Sequence, residues 1–416
     1  MTFMLNHARV IDGKGGVLED MYLAIEGSKI AEIAPSARLP ADVRVPTIDL
    51  AGRTLLPGII DCHVHLSMDG AADVIGQALR DTGAMTALRM ARNAERTLRA
   101  GVTTVRDCGA KEHADFSFRR AVAEGVTPLA PRLLLSGMPI AMTGGHCWQF
   151  GREADGADEV RRAAREQIKA GADCVKLMAT GGILTEGTEI GSPQLTEDEM
   201  RAAAQEAQNA GKLSAIHAHG ATGIKNGVRA GIRSVEHAYL LDDEAIELML
   251  KRGTWFVPTA AAVRLVVQHG ITAGIPPSVV RKAKAGLEIQ TVTCRKAWKA
   301  GVKLAMGTDA GTPYNRHGEN LQELATLVEI GLSPMEAIQA ATSRGAELLG
   351  LADSIGTVER GKEADLLIVE GDPIADIKTL MRREAVSLVF KGGKLAHLGP
   401  AADGLARTLP LETRLA

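Results

Sequence analysis

Aromatic residues are scarce in this chain: 3 Trp, 3 Tyr and 6 Phe among 416 residues. Platforms on which nucleic-acid bases or sugar rings stack are therefore few. Cysteine is also sparse, with 5 residues and no C-x-x-C pair. An odd, unpatterned set argues against a disulfide framework, and reduced thiols in a cytoplasm are the simplest expectation. No charge sign dominates. The formal net charge is −2 and no basic stripe stands out, so neither nucleic acid nor an anionic membrane is an expected partner. The first ten residues lack a charged segment followed by an apolar one, so no signal peptide is expected. No run of about 20 unbroken apolar residues occurs either. Segment 133–151 has no Asp, Glu, Lys or Arg, but Gly, Pro and His interrupt it.

The length suits one barrel of about 250–300 residues with a smaller unit beside it. Short β-rich runs at 4–11, 21–26, 29–33 and 44–50 open the chain, separated by glycine turns. From residue 55 short apolar runs alternate with helix-like stretches. The runs are 58–66, 102–107, 132–136, 173–179, 213–217, 234–237, 255–258 and 302–307, eight candidate strands. Helices are expected over 84–100, 157–170, 196–210 and 242–251, and five Ala-Gly pairs stand just before a strand. Glycine there accommodates the left-handed backbone that ends a helix. Eight strand–helix units predict a parallel, closed (β/α)₈ barrel. After residue 348 the texture returns to β. The expected organisation is therefore α/β, with a barrel over 58–356 and a small β-sandwich built from 1–57 and 357–416.

Barrel chemistry sits at the C-terminal ends of the strands. The first candidate strand ends in Asp61-Cys62-His63-Val64-His65, and period-2 alternation turns His63 and His65 to one face. Neutral imidazoles there suit zinc. The fourth carries Lys176 in an apolar run. A charged lysine is costly to bury, so it is either ion-paired in the core or converted by CO₂ to a carbamate able to bridge two metals. The fifth ends in His217-Ala218-His219, the sixth in Glu236-His237 and the eighth in Thr308-Asp309.

As a set, the HxH after Pro57-Gly58, Lys176, His217, His237 and Asp309 resemble the ligand pattern of binuclear metal-dependent amidohydrolases. The resemblance covers nearly the whole chain. It implies that His63, His65 and Asp309 bind the more buried of two divalent ions, zinc being the best fit. It implies that His217 and His237 bind the other, with carboxylated Lys176 and a hydroxide between them. Asp309 would then shuttle the proton. Base deaminases of this superfamily usually place a Glu shortly after the fifth-strand His, and imidazolonepropionases use no carboxylated lysine; both readings drop. Met142-Thr143-Gly144-Gly145-His146 and Ser234-Val235-Glu236-His237 resemble the branch of Xaa-Pro and Xaa-Arg/Lys dipeptidases. In that branch the position of His146 lies near the substrate carbonyl.

His219 departs from the branch pattern, where an aromatic residue is expected; it contacts substrate or supports His217. Tyr239 is a candidate for binding a substrate carboxylate, or a plain rim tyrosine. Arg316 is a candidate partner for the same group, a solvated loop arginine being the plainer reading. The expected activity is hydrolysis of a C–N amide bond in a dipeptide or N-acyl amino acid, as in a carboxypeptidase. Cyclic amides, lactones and phosphoesters are the alternative substrates, and a non-catalytic scaffold is the alternative class. The resemblance further implies a homo-oligomer.

Overall fold

The computed structural model describes residues 2–39, 44–127, 129–402 and 405. Residues 1, 40–43, 128, 403–404 and 406–416, parts of the expected 1–57, 58–356 and 357–416 units, lie outside the described residues.

The two ends of the chain meet in one mixed sheet of eight strands. Strand Thr54–Pro57 lies between Thr2–Ile11, to which it runs parallel, and Leu366–Val369, to which it runs antiparallel. The strands of Phe3 and Phe390 are three places apart in that sheet, which would separate them by about 14 Å if it were flat. Their ring centres are 5.4 Å apart. The expected sandwich is thus a single hydrogen-bonded sheet that coils until its inner face closes on itself. It encloses Leu5, Leu23, Ile368 and Leu388.

The middle of the chain is α/β. Strands Ile59–Val64, Val102–Asp107 and Arg132–Leu135 form one parallel sheet. Cys174–Met178, Leu213–Gly220, Ser234–Leu240 and Trp255–Val257 form another, extended by short strands Ile140–Ala141 and Arg152–Glu153. The expected helices appear as Gly83–Arg99, Ala157–Ala170, Glu197–Asn209 and Asp243–Arg252. All five Ala-Gly helix ends place their glycine at positive φ, from 65° at Gly211 to 115° at Gly171. Among the described residues, no helix is long and apolar enough to cross a membrane.

One expected element differs. Residues 302–307 form no regular strand; Leu304 makes a single bridge to Phe256, and Ala310 one to Val64. The backbone still bonds to both sheets: Phe256 donates to the carbonyl of Lys303 (2.8 Å) and Cys62 to that of Met306 (2.9 Å). The ladder breaks because the chain is squeezed. A Cβ on Gly307 would lie 2.4 Å from Val257 and 2.8 Å from the His63 Cβ, and Asp309 turns to φ 58°.

Gly58 is the joint between the two parts. Its N–H donates to the carbonyl of Asp365 (2.7 Å), and the next residue begins strand Ile59–Val64. A Cβ at Gly58 would stand 2.2 Å from the Thr103 hydroxyl, a buried oxygen without a hydrogen bond. Gly58→Ala should therefore destabilise the fold by about 1–3 kcal/mol through overpacking. Thr103→Ala in the same chain should recover most of that loss. Denaturant unfolding of the two single variants and the double variant checks this; equal, additive losses would rule the clash out.

Candidate metal centre

The C-terminal ends of the central strands open on a pocket of about 600 Å³ that communicates with solvent. All six expected ligand residues line it: His63, His65, Lys176, His217, His237 and Asp309. So do His146, His219 and Tyr239. Strands Leu213–Gly220 and Ser234–Leu240 run further than the sequence suggests. Alternation turns His217 with His219 to the same side, while left-handed backbone at His237 and Ala238 (φ 70° and 50°) brings His237 and Tyr239 to the pocket as well.

Arg316 does not reach the pocket. It is exposed, and its guanidinium carbon lies 6.0 Å from the Tyr314 ring centre. The preceding Asn315 points inward and donates to the carbonyl of Thr308 (2.7 Å), which turns its neighbour outward. His317, on the same loop, sits against the carbonyls of His65 (3.0 Å) and Met68 (3.1 Å) and closes the site from behind.

Asp309 Oδ1 is 3.4 Å from Nε2 of His63 and 3.4 Å from Nε2 of His65. That is long for a hydrogen bond. It matches the edge of a tetrahedron, about 3.4 Å, whose centre is about 2.1 Å from each donor, the usual zinc bond length. The three residues form a group able to hold a metal ion. Around it stand His237, whose ring centre is 4.9 Å from that of His63, and His217, 4.6 Å from His237. His146 is 4.2 Å from His217, and Tyr239 is 4.2 Å from His219.

Hydrogen bonds fix how these rings face. His63 Nδ1 meets Glu236 Oε2 at 2.8 Å and His65 Nδ1 faces the Gly109 carbonyl at 3.4 Å. A carboxylate and a carbonyl only accept, so Nδ1 carries the proton and the Nε2 lone pair turns to the pocket. His237 Nδ1 and His146 Nδ1 are held likewise by the hydroxyls of Thr259 (2.7 Å) and Thr185 (3.0 Å). His217 Nε2 and His219 Nδ1 are buried with no hydrogen-bond partner. Burial lowers the His65 ring to about 4 and the His219 ring to about 3. It holds His146, His217 and His237 well below the ordinary imidazole range. For His63 burial acts in the same sense, but the neighbouring Cys108 and Asp309 outweigh it and hold the ring well above that range. Imidazole nitrogens gathered around Asp309 in one pocket fit a divalent metal.

Lys176 is 1% exposed, at the middle of strand Cys174–Met178. Among the described residues its ammonium has no hydrogen bond and no ion-pair partner. Its charge is felt by the carboxylates of Asp309 and Glu236, neither of which it contacts directly.

Other supporting residues were not picked out from the sequence. Arg106 is buried and donates to Glu236 Oε1 (2.8 Å), the Ser234 hydroxyl (3.0 Å) and the Cys62 carbonyl (2.6 Å). Burial pushes the Glu236 carboxyl up, but Arg106 and the bond to His63 outweigh it and bring it to about 2. Asp61 accepts from the Thr308 hydroxyl (2.6 Å) and Asn320 (2.8 Å), tying the first strand to the Asp309 turn. Glu323 accepts from the N–H groups of Ala260 (2.8 Å) and Ala261 (2.7 Å), just after Thr259. An arginine in the apolar run 102–107 was the one available signal for this shell. His237 (φ 70°) and Asp309 (φ 58°) both adopt left-handed backbone, which for non-glycine residues stores strain of about 1–3 kcal/mol each.

Comparison with known proteins agrees with this geometry. Residues 54–396 match the model of the amidohydrolase family. Ochratoxinase of Aspergillus niger is 30% identical over an alignment of 426 residues, covering 93% of this chain and 85% of that protein. Among solved structures, a Xaa-Pro dipeptidase with methionine bound in its active site superposes with a TM-score of 0.87 at 35% identity, over 96% of this chain and 100% of that one. A prolidase complexed with N-methylphosphonate-L-proline gives 0.87 at 31% identity, over 95% and 99%. The chain belongs to the amidohydrolase family and is a hydrolase acting on carbon–nitrogen bonds.

Proposed function

We propose that this enzyme hydrolyses the amide bond of an N-acyl amino acid or dipeptide with apolar side chains, using two divalent metal ions. The observation that carries the reading is the convergence of His63, His65, His217, His237, Asp309 and the buried Lys176 on one pocket with apolar walls. His63, His65 and Asp309 would hold the deeper ion, and His217 and His237 the other. Zinc suits this histidine-rich set best. A carbamate on Lys176 would lie between them: addition of CO₂ turns a buried cation into an anion flanked by cations. The bonds of 303–310 to both parallel sheets support a closed barrel. The pairing of the chain ends supports a two-unit division, 1–57 with 357–416 against 58–356.

When bound, such ions lower the pKa of a water and polarise the scissile carbonyl. Asp309 takes the proton as the water oxygen adds to the carbonyl carbon. It returns that proton to the leaving nitrogen as the C–N bond breaks. His146 faces the carbonyl beside His217. The free Nδ1 of His219 and the Tyr239 hydroxyl are suited to the substrate carboxylate.

The walls are Met68, Phe150, Met178, Leu184, Val263 and Val266. Lys176 and Asp309 are the charged residues of the lining. No carboxylate other than Asp309 is present there to receive the ammonium of a free dipeptide, which favours N-acyl amino acids. Similarity to ochratoxinase and to a Xaa-Pro dipeptidase supports the same bond class.

Elemental analysis of protein purified without chelator should give about two divalent ions per chain. Hydrolysis of an N-acyl phenylalanine should release free phenylalanine; cleavage only of lactones or phosphoesters would overturn the substrate reading. Growth with ¹³C-bicarbonate should label Lys176 as a carbamate, and an unlabelled lysine in fully metal-loaded protein would remove the bridge. Asp309→Asn should keep most of the metal but lower kcat by roughly 10²–10⁴-fold, the usual reach of general acid–base catalysis. Full turnover in that variant would remove Asp309 from the proton path.

A further inference from the structure

Lysine 282 is the second buried lysine of the chain, 2% exposed, on helix Pro277–Lys299. Its ammonium donates to three backbone carbonyls of one loop: Gly182 (3.0 Å), Thr185 (2.7 Å) and Thr188 (2.7 Å). An ammonium has three N–H donors, and here all three are committed. The base of the loop is closed separately: Gly181 donates to the Ser192 carbonyl (2.9 Å) and Gly191 to the Gly181 carbonyl (3.1 Å). Lys282 therefore fastens the far part of the loop, not its stem.

What the loop carries makes this fastening matter. Ile183 and Leu184 line the pocket. The hydroxyl of Thr185 contacts His146 Nδ1 (3.0 Å) and accepts from the Cys147 N–H (3.0 Å). Gly182 packs against the His146 ring so closely that a Cβ there would lie 2.4 Å from Nε2. One turn beyond Lys282, Gly286 lets the same helix approach Tyr239, where a Cβ would stand 2.9 Å from the ring. Helix, loop and Tyr239 share one apolar cluster that includes Val263 and Val266.

We propose that Lys282 is a positioning residue that sets substrate specificity: its clasp on Gly182, Thr185 and Thr188 holds the Ile183–Leu184 wall and the His146 support in place for a bulky apolar acyl group. The ammonium touches neither substrate nor metal. It acts through the loop, so the metal-bearing strands do not depend on it. This rests on the acyl-amino-acid reading above for its activity arm alone.

Two measurements on Lys282→Met test it. The first is backbone hydrogen exchange: the amide of Cys147, which donates to the Thr185 hydroxyl, should exchange at least tenfold faster, with 174–178 unchanged and metal content kept. The second is kcat/KM along a series of N-acyl phenylalanines from acetyl to octanoyl. In the native enzyme it should rise about two- to fourfold per methylene, and in the variant that rise should flatten. A general loss of stability would lower every member equally and leave the slope intact. Lys282→Gln, which keeps two donors, should fall between the two and serves if the Met variant does not fold. Native exchange at Cys147 together with a native slope would overturn the proposal. If no N-acyl amino acid is cleaved, the functional reading fails, and hydrogen exchange still decides the clasp.

Discussion

The buried pair of Arg106 and Glu236 joins the two parallel sheets through the interior of the molecule. Arg106 belongs to the three-stranded sheet and Glu236 to the six-stranded one, so their contact crosses the interior between the sheets. Both side chains are 0% exposed. Two charges removed from water cost several kcal/mol, and a single one left behind costs more. The pair is therefore tolerable only intact, with Ser234 and the Cys62 carbonyl filling the remaining hydrogen bonds. From Glu236 the same network reaches His63 and sets its tautomer. One ion pair thus both links the two sheets and sets how the His63 ring faces the pocket.

Around this anchor the site spends stability in visible ways. His237 and Asp309 hold left-handed backbone, and Lys176 is buried with no hydrogen bond or ion pair among the described residues. Asp61, Asp107 and Glu323 are acidic side chains buried behind the pocket. Burial raises Asp107 and Glu323 to about 8 each. Each of the three accepts backbone N–H bonds at a turn next to a pocket residue. The molecule fixes irregular turns at strand ends with buried carboxyls, because irregular turns leave N–H groups that no ladder can satisfy.

Much of this was legible beforehand. The candidate ligands carried their own signal, since histidine or lysine at the end of an apolar strand has few bland explanations. The helix ends were equally clear, because Ala-Gly before a strand encodes a backbone geometry. Residues 302–307 were misread because their composition is that of a strand; what disrupts the ladder is the close passage of Gly307 against Val257 and His63, which no local pattern encodes. Arg316 follows the plainer of its two readings, a solvated loop arginine, because a loop's inward and outward positions depend on which neighbour finds a buried acceptor. Arg106 went unremarked, and the basic segment 281–284 reads as a solvated face although Lys282 is buried, since their partners lie 130 and up to 100 residues away in sequence.

The coiled sheet made from both chain ends has a consequence for biosynthesis. Strand Thr54–Pro57, which leads through Gly58 into the strand of His63 and His65, has Leu366–Val369 as one of its two neighbours. On the ribosome, the first histidines of the site emerge early, but the strand that steadies their entry is made near the end. Such distant pairing is slow to form. The segment that carries His63 and His65 thus gains its last neighbouring strand only when translation is almost complete.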